Sequence, residues 1–300
     1  MSTQTCDIHI GVAGWSYPDW TGILYSAQES RSPGALAAIA RLFDCVEINS
    51  SFYRYPAARS AEKWLRTVEA YEGFTFTAKV TRTLTHEGSV DEAAIRDGAR
   101  QLVEGLRPLV DAGRLDTLLT QFPPFFRDGP DARARIESIV EALRPLPTSV
   151  EIRHGSFLSN SFLQFLEGIG AAFVNIDLPP GREPFPQTSI NTSGVGYVRL
   201  HGRNSTAWFD RDAGRDDKYN YHYSEDELDP WALRIREIAA RTHRLYVITN
   251  NHFQGQAPAN ALDLMKLLER KLPPIPPGLL SLYPKLGQGR TTEEDRERKN

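Results

Sequence analysis

Two carboxylates occur where a buried strand would ordinarily carry only apolar residues. In the segment CVEINSSFY, Glu47 alternates with Val46 and Ile48. In SVEIRH, Glu151 follows Val150 with the same alternation. Successive side chains of a strand point to opposite faces, so each carboxylate would face away from its apolar neighbours. Two carboxylates in one pocket push their pKa values apart, and we therefore predict that Glu47 and Glu151 transfer protons.

The elements that must position these carboxylates are short strands alternating with helical patterns. Eight strands are predicted, namely DIHIGVAG, CVEINSSFY, FTFTAKV, LDTLLTQF, SVEIRH, AAFVNID, GYVRLHG and LYVITNN. Strand–helix alternation favours a parallel sheet. Eight such units in 300 residues favour an α/β fold of the TIM-type (β/α)8 barrel class over an open doubly wound sheet. The stretch LPPGREPFPQTSINTSG has no helical period, so the sixth crossover is predicted to lack a clear helix.

The barrel is predicted to be a single domain over residues 7–272, without a linker or an internal repeat. Residues 273–300 are predicted to form a proline-rich extension and a charged, disordered tail. Two helices carry sequence signals for their starts, because Ser60 and Ser224 are each followed by acidic residues.

Composition argues against several classes of protein. A net charge of −3 provides no global basic field for nucleic acid. The two cysteines lack metal-site spacing and suggest no disulfide framework, which is typical of a reducing cytoplasm. The first residues show no basic start before an apolar run, and the chain has no apolar stretch long enough for a membrane helix. We therefore expect a cytoplasmic protein with no membrane partner.

The inner face of the predicted barrel is unusually polar. With the apolar set facing the helices, the inward set comprises Glu47, Asn49, Ser51, Thr75, Thr77, Lys79, Leu119, Gln121, Glu151, Arg153, Asn175, Asp177, Tyr197, Arg199, His201 and either Asn250 or Asn251. Ordinary barrel interiors are filled by Val, Ile and Leu, and an unpaired buried charge is costly. The pattern favours a ligand site at the barrel mouth; a purely structural network of paired charges is the alternative.

Seven segments together resemble the YecE-like family, known as domain of unknown function 72 (DUF72). They are GVAGWSYPDWTG, FDCVEINSSFYR, FTFTAKVTRTLTH, QFPPFF, VEIRHGSF, YVRLHGRN and ITNNHFQGQAPANAL. The resemblance implies a TIM-barrel-type fold and supplies no established activity. The family's barrel is similar in outline to metal-dependent sugar isomerases and abasic-site endonucleases, which is fold analogy only.

Candidate site residues are taken from the inward faces and the loops that follow them. Catalytic roles are predicted for Glu47, Glu151, Lys79 and His201. Substrate-binding roles are predicted for Trp15, Tyr17, Asn49, Tyr53, Arg82, Gln121, Arg153, Asp177, Arg199, Arg203, Asn250 and Asn251. The cations would hold negative charge, the amides would orient the substrate, and the aromatic rings would form a wall.

No cofactor is predicted, and no residue is assigned to a metal. Glu47, Glu151, Asp177 and His201 do carry ligand atoms suitable for a divalent ion, so a metal remains an open alternative. The spacings H-x-H and H-E-x-x-H do not occur, however, and neighbouring cations oppose a second positive charge.

These residues favour an enzyme that uses acid/base or electrostatic catalysis on a small polar, anionic or sugar-like ligand, as a hydrolase or an isomerase. One alternative is a nucleic-acid-binding or nuclease-like protein, with or without metal assistance, because residues 203–224 interleave aromatic and basic side chains. Another is a non-catalytic ligand-binding protein, which would bind without turnover.

Overall fold

The computed structural model describes residues 6–288, except 32, 89–90, 182–184 and 211. Its eight strands pair in sequential order, all parallel, and close into a barrel. The strands are β1 Asp7–Ala13, β2 Cys45–Ile48, β3 Thr75–Lys79, β4 Leu115–Gln121, β5 Thr148–Glu151, β6 Ala172–Asp177, β7 Val195–Leu200 and β8 Arg244–Thr249. The predicted TIM-type (β/α)8 fold is confirmed.

Helices cover the outside of the barrel. They are α1 Gly34–Ala40, α2 Ala58–Thr67, α3 Arg82–Thr85, α4 Glu92–Asp111, α5 Pro130–Leu143, α6 Asn160–Ile169, α7 Ser205–Phe209, α8 Arg215–Lys218, α9 Glu225–Ala239, α10 Gln256–Leu267 and α11 Pro277–Leu282. One predicted start is wrong, because α2 begins two residues before Ser60, with Ala57 as its cap. At α9 the prediction is confirmed: the Ser224 backbone N–H donates to Glu227 Oε2 at 2.9 Å.

Strand alternation divides the apolar residues into two clusters. Val46 and Ile48 belong to the large cluster between the strands and the helices, and both are fully buried. Burying an aliphatic side chain of this size contributes about 1.5–3 kcal/mol, which fixes the face that β2 turns outward. Between these two residues, Glu47 faces the barrel axis, where a smaller cluster that includes Leu119 and Tyr197 fills the interior.

On β6 the predicted inward face is wrong. Val174 and Ile176 line the interior, in register with Tyr197 and Arg199 of β7. Asn175 therefore faces outward. Its Oδ1 accepts hydrogen bonds of 2.8 Å from the Thr188 hydroxyl and the Ile190 N–H. The physical reason is the crossover: no helix forms in the described residues 178–181 and 185–194, as predicted, so the outer face of β6 meets polar backbone rather than an apolar helix.

The predicted strand CVEINSSFY also ends early. β2 stops at Ile48, and a 3-10 turn follows at Ser50–Phe52. Ser51 consequently leaves the alternating pattern, and its hydroxyl donates to the Lys79 carbonyl oxygen at 2.7 Å. This hydrogen bond joins the end of β2 to the end of β3.

Beyond residue 272, the chain continues onto the barrel. Leu279 in α11 and Leu286 are buried within the large apolar cluster. The domain boundary at 272 stays a prediction, and the predicted disordered segment from 289 onward lies outside the described residues. Within the described ranges, no helix is both long enough and apolar enough to cross a lipid bilayer.

Candidate functional site

Polar side chains converge at the carboxyl ends of the strands. Lys79, Gln121 and Glu151 are the last residues of β3, β4 and β5. His201 and Asn250 directly follow β7 and β8. Functional sites of (β/α)8 barrels lie at this end of the strands.

Arg199 forms the centre of the cluster and is completely buried. Its Nη2 donates to Glu47 Oε1 at 2.7 Å, and its Nη1 donates to Glu151 Oε2 at 2.6 Å. Burial lowers the pKa of Arg199, but the two carboxylates outweigh that effect and raise it. One permanently charged guanidinium thus neutralises two carboxylates on opposite sides of the barrel.

The remaining oxygen of each carboxylate is also engaged. Glu47 Oε2 accepts a hydrogen bond of 2.9 Å from the Tyr197 hydroxyl. Glu151 Oε1 accepts one of 2.8 Å from Arg153 Nε and lies 3.3 Å from His201 Nε2. Burial alone would raise the pKa of Glu151, but Arg199, Arg153 and His201 hold it well below its usual value. Glu151 therefore stays ionised, which argues against its predicted role as a proton donor.

Lys79 differs from the other cations of the cluster. Its Nζ donates to Gln121 Oε1 at 2.9 Å and lies 4.2 Å from the centre of the Phe52 ring. Within the described part of the chain, no carboxylate oxygen lies within ion-pair distance of this amine. Its exposed fraction is 9%. Burial and the charge of Arg199 lower the pKa of Lys79 to about 7, so the amine gains and loses its proton near neutral pH.

Three histidines around the mouth are uncharged at neutral pH. Burial, assisted by Arg199 and opposed by Glu151, lowers the pKa of His201 to about 3. Burial likewise lowers the pKa of His86 and of His252 to about 4. His201 Nδ1 lies 3.0 Å from Asn250 Nδ2, which fits an imidazole nitrogen that accepts a hydrogen bond.

The segment between β7 and α9 covers the mouth. Trp208 of α7 lies over Arg153, with 5.9 Å from the guanidinium carbon to the ring centre. Tyr219, which follows α8, lies 5.4 Å from the Trp208 ring and 5.2 Å from the His252 ring. His252 is sandwiched between Tyr219 and Tyr17, and neither of its ring nitrogens has a hydrogen-bond partner among the described residues. This segment thus provides an aromatic roof over the charged cluster.

Three predicted binding residues hold this roof in place instead of joining the charged cluster. Asp177 lies on the outer face of β6, and its Oδ2 accepts a 2.8 Å hydrogen bond from Arg203 Nε. Arg203 Nη1 also donates to Glu227 Oε1 of α9 at 3.1 Å. Asn251 is bound through its Nδ2 to the Tyr221 carbonyl oxygen at 2.8 Å. These side chains connect the covering segment to the barrel.

The predicted aromatic wall is divided. Trp15 and Tyr17 are each 8% exposed and pack within the apolar cluster, where Trp15 meets the edge of Trp64. The Tyr17 hydroxyl donates to the Ala13 carbonyl oxygen at 2.6 Å. Tyr53, in contrast, is 69% exposed.

The loop residues predicted to bind substrate lie at the margin of the cluster. Arg82 is exposed at the start of α3, and Asn49 is half-buried at the end of β2. Of the predicted set, the structure therefore brings together Glu47, Lys79, Gln121, Glu151, Arg153, Arg199, His201 and Asn250.

Other contributors are missing from the predicted set. Tyr197 was predicted to face inward with Arg199 and His201, but no site role was predicted for it. Phe52 carries no such signal, because the 3-10 turn after β2 breaks the alternation. No three His, Cys, Asp or Glu side chains of the described residues are grouped so that they could hold a metal ion.

Known proteins share both the sequence pattern and the fold. The chain is 28% identical over 287 residues to the UPF0759 protein YunF of Bacillus subtilis. The aligned region covers 92% of this chain and 100% of that protein. A DUF72 family protein from Thermotoga maritima, solved by crystallography, is 32% identical with a TM-score of 0.77, covering 88% of this chain and 100% of that one.

A second crystal structure agrees at the level of the fold. A DUF72 family protein from Enterococcus faecalis has a TM-score of 0.75 at 24% identity, covering 90% of this chain and 98% of that one. The family described as "Protein of unknown function DUF72" matches residues 9–279. The resemblance found in the sequence motifs is confirmed, and the chain belongs to the DUF72 family.

Proposed function

We propose that the barrel mouth is an enzyme site for a small anionic, oxygen-rich substrate such as a sugar phosphate or sugar acid. Lys79 and Arg153 bind the negative charge of the substrate, and Lys79 transfers a proton during turnover. A hydrolase and an isomerase are the reaction classes compatible with this role.

One observation carries the proposal. The oxygens of Glu47 and Glu151 are already engaged by Arg199, Tyr197 and Arg153, so Lys79 is left without a carboxylate partner among the described residues. A nearly buried cation that lacks a counter-ion favours an anionic ligand, because such a ligand would supply the missing charge.

An unused hydrogen-bond donor of Arg153 supports the same ligand chemistry. Its Nη2 lies 2.7 Å from Glu151 Oε1 but is not aligned to donate to it, and it has no other acceptor in the part of the chain that the structure describes. A guanidinium donor with an unused N–H beneath the Trp208 ring is suited to a carboxylate or phosphate oxygen.

Lys79 is also the better candidate for proton transfer. A group exchanges protons most effectively when its pKa is near the working pH, and the pKa of Lys79 is lowered to about 7 by burial and Arg199. The pKa of Glu151 lies well below that range because of Arg199 and Arg153. The carboxylates in this proposal hold the cations in place.

Thermal unfolding with matched ligands tests the proposal. Sugar phosphates and sugar acids should raise the unfolding temperature, whereas the corresponding neutral sugars should not. A ligand at about 100 times its Kd stabilises the folded state by about 2.7 kcal/mol. Lys79→Met should abolish the shift, and Glu47→Gln should alter it by freeing Arg199.

Lys285→Met is the matched control, because Lys285 is an exposed lysine outside the cluster. It should respond to the anions as the unmodified protein does. Equal stabilisation of the Lys79→Met variant by the same anions would contradict the proposal. Turnover, followed by NMR of the ligand that binds, would separate an enzyme from a non-catalytic binding protein.

The nucleic-acid alternative predicts a different result. Trp208 and Tyr219 contact Arg153, His201 and His252 inside the mouth, so their rings are already used for packing. Binding of single-stranded oligonucleotides at low salt, weakened steeply by added salt, would favour that alternative over a small-molecule site.

A further inference from the structure

The surroundings of Lys79 are those of an amine nucleophile. The face of Phe52 covers Nζ at 4.2 Å, and the hydrogen-bond acceptor on the other side is the neutral amide oxygen of Gln121 at 2.9 Å. A carboxylate at that position would instead hold the amine as an ammonium ion. Lysine becomes nucleophilic when it is desolvated or placed beside another cation, and Lys79 meets both conditions.

The cation beside Lys79 is Arg199, because both side chains contact the same oxygen of Gln121. Arg199 Nη1 lies 3.3 Å from the same Gln121 Oε1 that accepts from Lys79. Arg153 and Arg199 both act on Lys79 electrostatically in the direction of the neutral amine, whereas Glu47 and Glu151 oppose them. The net result, dominated by burial, is an amine whose pKa is lowered to about 7.

We propose that Lys79 forms an imine with the carbonyl carbon of an anionic aldehyde or ketone. This inference rests on the proposed function and names the reactive group of the same substrate class. Arg153 would hold the anionic group of the substrate while Lys79 attacks the carbonyl.

The step balances without an external oxidant or reductant. The neutral amine adds its lone pair to the carbonyl carbon, and a proton moves from nitrogen to the former carbonyl oxygen to give a carbinolamine. The hydroxyl group then leaves as water, using one proton from the medium. Overall, an ammonium ion and a carbonyl compound give a protonated imine and water.

The protonated imine carries the same burial cost as the ammonium form of Lys79, but two contacts of the amine remain available to it. The protonated imine is a cation that would take the place of the ammonium over the Phe52 ring. Aromatic faces attract cations most strongly where water is excluded. Gln121 Oε1 can accept a hydrogen bond from the imine N–H as it does from the amine.

Reductive trapping with mass spectrometry tests the inference on the full chain. The protein is incubated with pyruvate or dihydroxyacetone phosphate plus sodium cyanoborohydride, digested, and mapped for the reduced adduct. We expect the Lys79 peptide to be modified at least about tenfold faster than peptides of exposed lysines such as Lys285, because an ordinary lysine pKa is about 10.4. Acetone and dihydroxyacetone, which lack the anionic group, should label Lys79 at least about tenfold more slowly than their anionic counterparts.

The Lys79→Arg variant distinguishes covalent reaction of the lysine amine from simple attraction between its positive charge and the anion. This variant keeps a cation and should bind the anions in calorimetry within about tenfold of the unmodified protein, but it should give no adduct at position 79. Retained binding by the unmodified protein without a Lys79 adduct would overturn the imine and leave the proposed function standing.

Two further results would also count against the imine. Absence of both binding and adduct would reject the proposed function together with it. Equal labelling of Lys79 and Lys285 would show that Lys79 has no special reactivity. Both measurements on the unmodified protein are informative even if the arginine variant fails to fold.

Discussion

The two ends of the barrel both contain polar networks, but the charges of the two networks are paired to different extents. At the amino end, Asp116 accepts hydrogen bonds from Arg244 and from the Tyr246 hydroxyl. The Tyr246 ring stacks on His9 at 5.2 Å, and His9 Nε2 lies 2.9 Å from Asp7. Arg244 is thus paired with a carboxylate, whereas Lys79 at the carboxyl end has none among the described residues.

This difference supports the proposal that the carboxyl-end network takes a ligand and that the amino-end network serves the fold. A cavity of about 540 Å3 near the amino end is lined by Asp44 and Arg270, which already bind each other at 2.7 Å. A cavity of about 410 Å3 near the carboxyl end is lined by Arg153 and Trp208. Lys79 does not line the smaller cavity, but Arg153 does, and its Nη2 has no acceptor among the described residues.

The largest effect is expected when the central cation is removed. Arg199→Met leaves Glu47 and Glu151 buried without their shared partner. Removing one member of a buried ion pair typically costs about 3–5 kcal/mol. The free energy of unfolding, measured with urea, should fall by that amount, and adding Glu47→Gln should restore part of it.

Arg96→Met provides the control for this measurement. Arg96 pairs with Glu92 on the exposed surface of α4, at 3.0 Å. Exposed pairs of this kind contribute little to stability, so the control should unfold nearly as the unmodified protein does. Similar losses in both variants would show that the central network is not special.

A pH-dependent effect is expected from Lys79. Its folded-state pKa is lowered by burial and Arg199 to about 7, below the unfolded value of about 10.4. Between these values the unfolded chain binds about one proton more, so this lysine makes stability rise with pH by about 1.4 kcal/mol per pH unit. Below the folded pKa the cost of burying the charge is fully present.

Lys79→Met should remove that slope. Urea unfolding of both proteins between about pH 7 and pH 10 should show the variant as the more stable at neutral pH, with the difference shrinking as pH rises through the window between the two pKa values. Tyrosine ionisation is common to both proteins and cancels in the difference. Parallel curves would indicate that Lys79 is charged to the same degree in both states.

A smaller effect is expected at the amino end. Tyr246→Phe removes a hydroxyl donor from Asp116 while leaving Arg244 in place. A hydrogen bond to a charged group contributes about 1.5–3 kcal/mol. Stability should fall by about that amount, and the thermal shift caused by anions should not change. A variant with altered anion binding would remove the distinction between the two ends.

The alternation of side chains between the two faces of each strand explains why much of the fold was predictable. Alternation placed Glu47, Glu151 and Arg199 on the inward face, because a one-residue shift would bury charge against the helices. The same rule failed on β6, where Asn175 is polar but faces outward. A missing helix on that side removed the apolar surroundings on which the rule depends.

The candidate site was predictable as a set of residues but not as a set of contacts. The sequence suggested that Glu47 and Glu151 were proton donors or acceptors, since it could not show which groups neutralise them. Phe52 was not predicted at all, because its position depends on the turn that follows β2. The sequence shows which side chains can carry charge or donate hydrogen bonds. It does not show which of them are already paired with another side chain.

The sequence by itself determined the barrel and its polar interior, because both follow from local periodicity that is visible over a few residues. Only the tertiary structure decided which charges cancel. Arg199 and Glu47 are 152 residues apart, and their contact depends on closure of the barrel and on the register between its strands. Electrostatic interaction falls off with distance in three dimensions, so it was only in the folded chain that Lys79 could be recognised as the cation of the described cluster without a carboxylate partner.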